Sequence, residues 1–446
     1  MRDKINLLIF SSSLHDAESV ISSRSRLFEG LRSFAELDIS YPSALAAGQP
    51  RLEMLMDGGN RQSERSLPDG EHVKTVCFIA TGGTEEIFRN YVEAIPRPVI
   101  LLSDGLHNSF AASFEIKTYL GQRGIKCSLF NAPLDYSNDF FELMARGVFG
   151  DKADSFEEAE AQQLPSFPKN LLKAFDKKRI GLVGGASDWL ISSNIDRQAV
   201  EYAYGVKFVD IPLSELEEDF AAVDENGSGI GEICSRLERF LSSDRTPEDL
   251  RRAARMYEAL KNLCSDNGLD AFTLKCFGIL NSCRTTSCLA LALLNNEGLT
   301  AGCEGDIPAL WTMMYVNYAF GEQAFMANPS SSSRKELTID FAHCTIPTGM
   351  VHGFRLPSHF ESRSGIGIAG SVPSGRYRII KISGEKLDRY YETRGDLLMN
   401  TNIPQRCRTQ IRFRFSSEAE FDRFINLDKG NHVILCRDAA QEGPSH

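Results

Sequence analysis

The chain has 446 residues, 42% of them hydrophobic and 24% charged, with 60 acidic residues against 49 basic ones for a formal net charge of −11. This length implies two or three domains, and the composition is that of a folded chain rather than a disordered one. The acidic balance lacks the basic stripe that a polyanion partner needs, so no nucleic acid is expected. No apolar run reaches the roughly 18 residues of a membrane span, so no membrane is expected either.

Met1-Arg2-Asp3-Lys4-Ile5 leads straight into a strand-like run instead of a long apolar signal core, which predicts a cytoplasmic protein. The 11 cysteines sit mostly inside apolar segments, as at Cys77, Cys127, Cys276 and Cys436. Cys283 and Cys288 have four residues between them, and no CxxC pair occurs. Reduced, packed thiols are therefore expected, not a zinc–thiolate site or a disulfide framework.

In chain order, Ile5–Phe10, Val76–Ala80, Val99–Leu102 and Ile125–Phe130 are short apolar runs, the first three ending in small polar residues before helix-compatible stretches. This is the pattern of an open, doubly wound α/β sheet, whose ligand sites lie beyond the carboxyl ends of its strands. Residues 151–168 are acidic and Gln-rich and close on Pro165-Ser166-Phe167-Pro168, which reads as a linker. The alternation restarts with Arg179–Val183 and Val206–Asp210. Thr246-Pro247-Glu248-Asp249 starts a long helix running through Leu263, a second helix covers about 284–296, and a third begins after Asp306. From about residue 329 the segments Glu336–Ile346, Gly367–Ser371, Tyr377–Ile382, Gln410–Phe415 and His432–Cys436 read as strands between Gly, Pro and Ser turns. The expected units are 1–168 (α/β), 169–328 (α/β, carrying Glu304) and 329–446 (β-rich).

The residues able to do chemistry concentrate between 301 and 361, and five of the 8 histidines lie beyond residue 340. Imidazoles and carboxylates with few thiols suit manganese, magnesium or iron better than structural zinc. Each residue also has a plain structural reading. Asp306 is expected to cap the helix that carries Pro308 in its first turn. Glu304 lies at a strand's carboxyl end between Gly302 and Gly305, as a functional group or a solvated loop would. His343 follows Phe341-Ala342 in a strand pattern and fits a hydrogen-bonded core residue. His352 and His359 flank a Gly/Pro-rich loop and are expected at the surface. Thr81-Gly82-Gly83-Thr84 lacks a P-loop lysine and Gly227–Gly231 lacks the dinucleotide spacing, so both are expected to be turns.

Taken together, these motifs resemble L-fucose isomerase and related proteins, a superfamily that includes L-arabinose isomerase. The strongest match is Leu291–Pro308, above all Asn296-Glu297-Gly298-Leu299-Thr300-Ala301-Gly302-Cys303-Glu304-Gly305-Asp306. Phe325–Pro329, Phe341–Pro347, His359-Phe360-Glu361-Ser362 and Gly430-Asn431-His432 follow in order, and Asn108-Ser109 and Gly184–Leu190 look like the corresponding earlier segments. The resemblance spans nearly the whole chain and rests on the set of motifs, no single one being diagnostic.

It implies two α/β domains followed by a barrel-like domain, assembly into homo-trimers or homo-hexamers, and interconversion of an aldose and a ketose with Mn2+ or another divalent cation. The substrate implied is a small-molecule sugar, an unphosphorylated pentose or deoxyhexose. Carried over by residue, Glu304 is a metal ligand and proton-transfer group, His432 a metal ligand, and His343 resembles the histidine of the arabinose branch that joins the metal site. Asn328 stands where a second carboxylate is expected: its amide oxygen can ligate a cation but cannot act as a base. Asp340 precedes His343 by three residues and so points to the other face of a strand, leaving Glu361 and Asp306 as replacements. The resulting candidates are Glu304 and Glu361 for catalysis; Asn108, Asn328, His343 and His359 for the sugar; and Glu304, Asn328 and His432 for the metal. A sugar-binding or regulatory protein without turnover, and a metal-dependent enzyme of another type such as aldol cleavage, remain as alternatives.

Overall fold

A computed structural model describes residues 2–13, 15–41, 70–150 and 173–438; the expected linker 151–168 lies outside them. The first sheet holds five strands, β1 (Lys4–Phe10), β2 (Glu36–Ser40), β3 (Val73–Ile79), β4 (Val99–Asp104) and β5 (Cys127–Ala132), all parallel in the order β2-β1-β3-β4-β5. The strands β1, β3 and β4 are aliphatic because helices cover both faces. Helices Ser25–Phe34 and Asn138–Phe149 pack Leu27, Leu31 and Met144 on one face, and Glu85–Tyr91 and Ser109–Gly121 pack Phe88, Ala112 and Ile116 on the other. The unforeseen β2 is a short, partly charged edge strand, and such edges carry little hydrophobic signal.

The second sheet holds β6 (Arg179–Val183), β7 (Lys207–Ile211), β8 (Ala271–Leu274) and β9 (Thr300–Cys303), again parallel, in the order β7-β6-β8-β9. Its long helix, Pro247–Asp266, starts in a full capping box: the Asp249 N–H donates to Thr246 Oγ1 at 3.2 Å and the Thr246 N–H donates to Asp249 Oδ2 at 2.9 Å. Thr246→Ala is expected to lower stability by about 1 kcal/mol, read from the urea midpoint of this unit's helical signal.

The remaining strands are β10 (Phe325–Ser333), β11 (Thr338–His343), β12 (Gly353–Arg355), β13 (Ala369–Ser371), β14 (Gly375–Ser383), β15 (Arg389–Asn400), β16 (Thr409–Phe415) and β17 (Val433–Arg437). Six of them close into an antiparallel barrel, β10-β11-β16-β15-β14-β17, with β17 paired back to β10; β12 and β13 form a separate ribbon. Closure leaves the barrel with no open edge.

Two barrel strands were not expected from the sequence. Strand β10 runs through Pro329 and four serines, and a register shift between Pro329 and Ser331 absorbs the proline. Strand β15 buries Tyr391, Thr393, Gly395 and Leu397 on alternate positions. Its outward charges pair across strands, Asp396 with Arg376 and Arg414 and Glu392 with Arg378, so a charged sequence becomes a stable strand. Among the described residues no helix is long and apolar enough to cross a membrane.

Candidate active site

Glu304 directly follows β9 with a left-handed backbone, φ +64°, and Gly305 continues it at φ +72°. A non-glycine residue held there stores local strain, which is common where a side chain must be aimed. Gly305 has no alternative: a Cβ would lie 2.1 Å from the Gly185 carbonyl oxygen. The loop after β6 thus lies directly on the loop after β9. The Ser187 N–H donates to the Glu304 carbonyl at 2.9 Å, and the Trp189 indole donates to Glu304 Oε2 at 2.6 Å.

Asp306 caps helix Ile307–Phe320, its Oδ1 accepting from the Ala309 N–H at 2.8 Å. Its second oxygen lies 2.9 Å from His432 Nδ1, so the cap also orients an imidazole from the segment that enters β17. The other nitrogen of His432 is 3.4 Å from Glu304 Oε1. His343, the last residue of β11, places Nε2 3.6 Å from the same oxygen, and its Nδ1 meets Thr345 Oγ1 at 2.9 Å. Burial alone would raise the Glu304 carboxyl, but the His432 and His343 imidazoles hold it well below the usual range. Burial likewise works to lower His432, and the Glu304 and Asp306 carboxylates outweigh it, lifting that imidazole to about 9. His343 is lowered, chiefly by burial.

A second wall comes from the first sheet and a turn. Asn108, left-handed at φ +58°, precedes helix Ser109–Gly121 and donates from Nδ2 to Glu361 Oε1 at 2.6 Å. Burial, then the charge of Glu304, pushes the Glu361 acid up to about 7. The segment around Glu361 is a turn and not an extended strand. His359 is only 6% exposed, which corrects the expected surface position: its Nδ1 meets Ser362 Oγ at 3.0 Å and its ring packs edge-on to Phe277. His352 is exposed, as expected. Asp340 points away into an arginine pair.

Asn108, Phe277, Glu304 and Glu361 line two adjoining pockets. His343 and His359 join the first pocket, while Asn328, Glu85, Trp189 and Asn431 join the second, so the predicted site residues share one cleft, with His432 buried behind Glu304. This cleft lies at the carboxyl ends of both parallel sheets, where open α/β sheets bind ligands. Asn328 is 3% exposed and its Oδ1 has no hydrogen-bond partner. Such an orphaned oxygen, a carboxylate and two imidazoles are suitable donors for a divalent cation. Asp306 and Thr345 occupy Nδ1 of each histidine, the arrangement that presents Nε2 to a metal.

Sequence reasoning missed two residues of this cleft. Glu85 is buried, with Oε2 unpartnered and its carboxyl raised well above the usual range by burial first and then by neighbouring charges that include Glu115, Glu304 and Glu361. Its signal was an acid opening the helix one residue beyond the Gly82-Gly83 turn that follows β3. Trp189 had a weaker one, a single aromatic after a Gly-rich turn.

No family model matches the chain. It is similar to two curated proteins named sulfoquinovose isomerase. One, from Clostridium sp. (strain MSTE9), is 24% identical over 209 residues, covering 42% of this chain and 46% of that protein. The other, from Alkalicoccus urumqiensis, is 22% identical over 238 residues, covering 49% and 53%. The chain thus spans about half the length of the curated relatives it matches.

Proposed function

We propose that the chain is an aldose–ketose isomerase acting on a monosaccharide through an ene-diol. The observation that carries this reading is the pair of part-buried carboxylates lining one cleft, Glu304 held well below the usual range by two imidazoles and Glu361 raised to about 7. Environments that push two acids apart are how a site separates its proton-transfer roles.

Isomerisation moves one hydrogen from C2 to C1 and one from O2 to O1. Glu304 is the base that takes the C2 proton and returns it to C1. Glu361, near 7, can accept the O2 proton and donate at O1, with Asn108 holding its carboxyl in place. This arrangement supplies a second acid–base group despite the amide at Asn328. Glu304, Asn328, His343 and His432 would hold a divalent cation, manganese by expectation, which when bound supplies positive charge to the oxygens on C1 and C2. Asn108, which lines both pockets, is placed to hydrogen-bond a sugar hydroxyl.

The test is ketose formation by the purified chain, with and without added Mn2+, from a panel holding L-fucose, L-arabinose and other unphosphorylated aldoses. Sulfoquinovose belongs in the panel because of the names of the two similar proteins. Turnover of at least one aldose is expected; sugar binding without ketose from any of them makes the chain a sugar-binding protein instead. Glu361→Gln is expected to lower kcat by about 100-fold or more with a smaller effect on KM, and unchanged kcat removes Glu361 from the chemistry.

A further inference from the structure

Five thiols line the first pocket, Cys276, Cys288, Cys303, Cys344 and Cys407, and the isomerisation uses none of them. They reach the pocket from separate places: the turn after β8, the start of helix Cys288–Asn296, the end of β9, the residue after β11 and the approach to β16. Spacing along the chain therefore gave no sign of the cluster. We propose that Cys288, Cys344 and His359, with Cys407 lining the pocket beside them, form a site for a thiophilic divalent ion of the Zn2+ or Cd2+ type, separate in donor chemistry from the carboxylate–imidazole set around Glu304.

The geometry favours an ion over a disulfide. The Sγ atoms of Cys288 and Cys344 are 3.2 Å apart, and Cys407 lines the same pocket. Two sulfurs at about 2.3 Å from one tetrahedral zinc lie about 3.8 Å apart, so the pair needs to open by only some tenths of an ångström. A disulfide at about 2.05 Å requires it to close by more than an ångström. Ligand atoms of Cys288, Cys344 and His359 all lie within 4.8 Å of one another, and all three residues are buried. His359 Nδ1 is engaged by Ser362 Oγ, which leaves Nε2 as the free donor and supplies the outer partner that metal-binding histidines carry. Two sulfurs and one imidazole, with the Cys407 thiol on the same pocket wall, are the soft donors that zinc and cadmium take. On binding, each ligating thiol releases its proton to solvent. Asn108 links this set to the cleft: its Nδ2 donates to Glu361 and lies 3.9 Å from Cys407 Sγ.

The proposal is independent of the isomerase reading. Titrating the metal-free full chain with Cd2+ in reducing buffer is expected to give an ultraviolet thiolate-to-cadmium band that saturates at one equivalent. Cys288→Ala and Cys344→Ala should abolish it, and Ser362→Ala, a mild change, should weaken binding by roughly 10–100-fold. Glu304→Gln and Cys234→Ala, the latter in a thiol that does not line the pocket, should keep the band. Near-ultraviolet circular dichroism checks that the cysteine variants fold; should they not, the Ser362→Ala titration decides. No band in the unaltered chain overturns the proposal, as does a band that survives both cysteine replacements or one that Ser362→Ala leaves at full affinity. A Cys288–Cys344 disulfide in the air-exposed chain without cadmium binding also overturns it, in favour of a redox pair.

Discussion

Glu304→Gln is expected to lower isomerase turnover by roughly 10³- to 10⁴-fold, the scale of losing a positioned base. Glutamine keeps the shape and still offers the Trp189 indole an acceptor, so the contact made at 2.6 Å need not be lost. What disappears is the negative charge that His343 and His432 face at 3.6 and 3.4 Å. Without it His432 keeps Asp306 as its counter-charge, and a divalent cation held by the proposed ligand set would lose the Glu304 carboxylate. The variant should therefore fold, bind added Mn2+ more weakly and turn over poorly. Circular dichroism, metal titration and ketose formation measure the three quantities. Near-native turnover rejects the assignment of this cleft as the isomerase site, whatever happens to metal affinity.

Asp340→Ala is expected to cost about 3–5 kcal/mol of stability, the scale of breaking a buried ion pair from one side. Asp340 is 2% exposed on β11 and holds two arginines: Oδ2 accepts from Arg406 Nη1 at 2.8 Å and Oδ1 from Arg412 Nε at 2.7 Å. Arg406, 1% exposed, also donates from Nε to the Gly105 carbonyl at 2.7 Å, tying the barrel to the loop after β4 that carries Asn108. Removing the carboxylate strands a buried guanidinium and loosens that loop, so denaturation and sugar affinity should both suffer. The sign with pH is fixed by the Asp340 carboxyl. Burial works to raise it, but hydrogen bonds and charge from Arg412 and Arg406 leave it below its ordinary value. Its stabilising contribution is thus full above the unfolded value of about 3.9 and fades as pH falls through the lower folded value. Urea midpoints of the two proteins should differ most at neutral pH and converge in acid. A constant gap down to the lowest pH at which both fold rejects the charge as the cause.

Much of the scaffold was legible because its signals are local. Strands β1, β3, β4 and β6 are buried on both faces and so are written as aliphatic runs. The cap at Asp306 and the start at Thr246 are likewise contained within four residues. Glu304, His343 and His432 were singled out only as members of an ordered motif set; alone, each had an equally good structural reading. The strands β10 and β15 stayed hidden because barrel closure and cross-strand ion pairs stabilise them, and neither leaves a periodic hydrophobic trace along the chain.

The amino-acid sequence by itself determined the α/β alternation ahead of a β-rich last third, the helix starts at Thr246 and Asp306, and the supply of carboxylates and imidazoles in the segment from 301 onward. Tertiary structure alone decided that Glu361 faces Glu304 across one cleft, that His359 is buried, that Glu85 and Trp189 belong beside them, and that five scattered thiols meet. The physical reason is that local propensity acts over a few residues. A side chain's protonation and ligating power depend instead on burial and on which distant charges stand within about 4 Å, and those are set only when the sheets and the barrel close on one another.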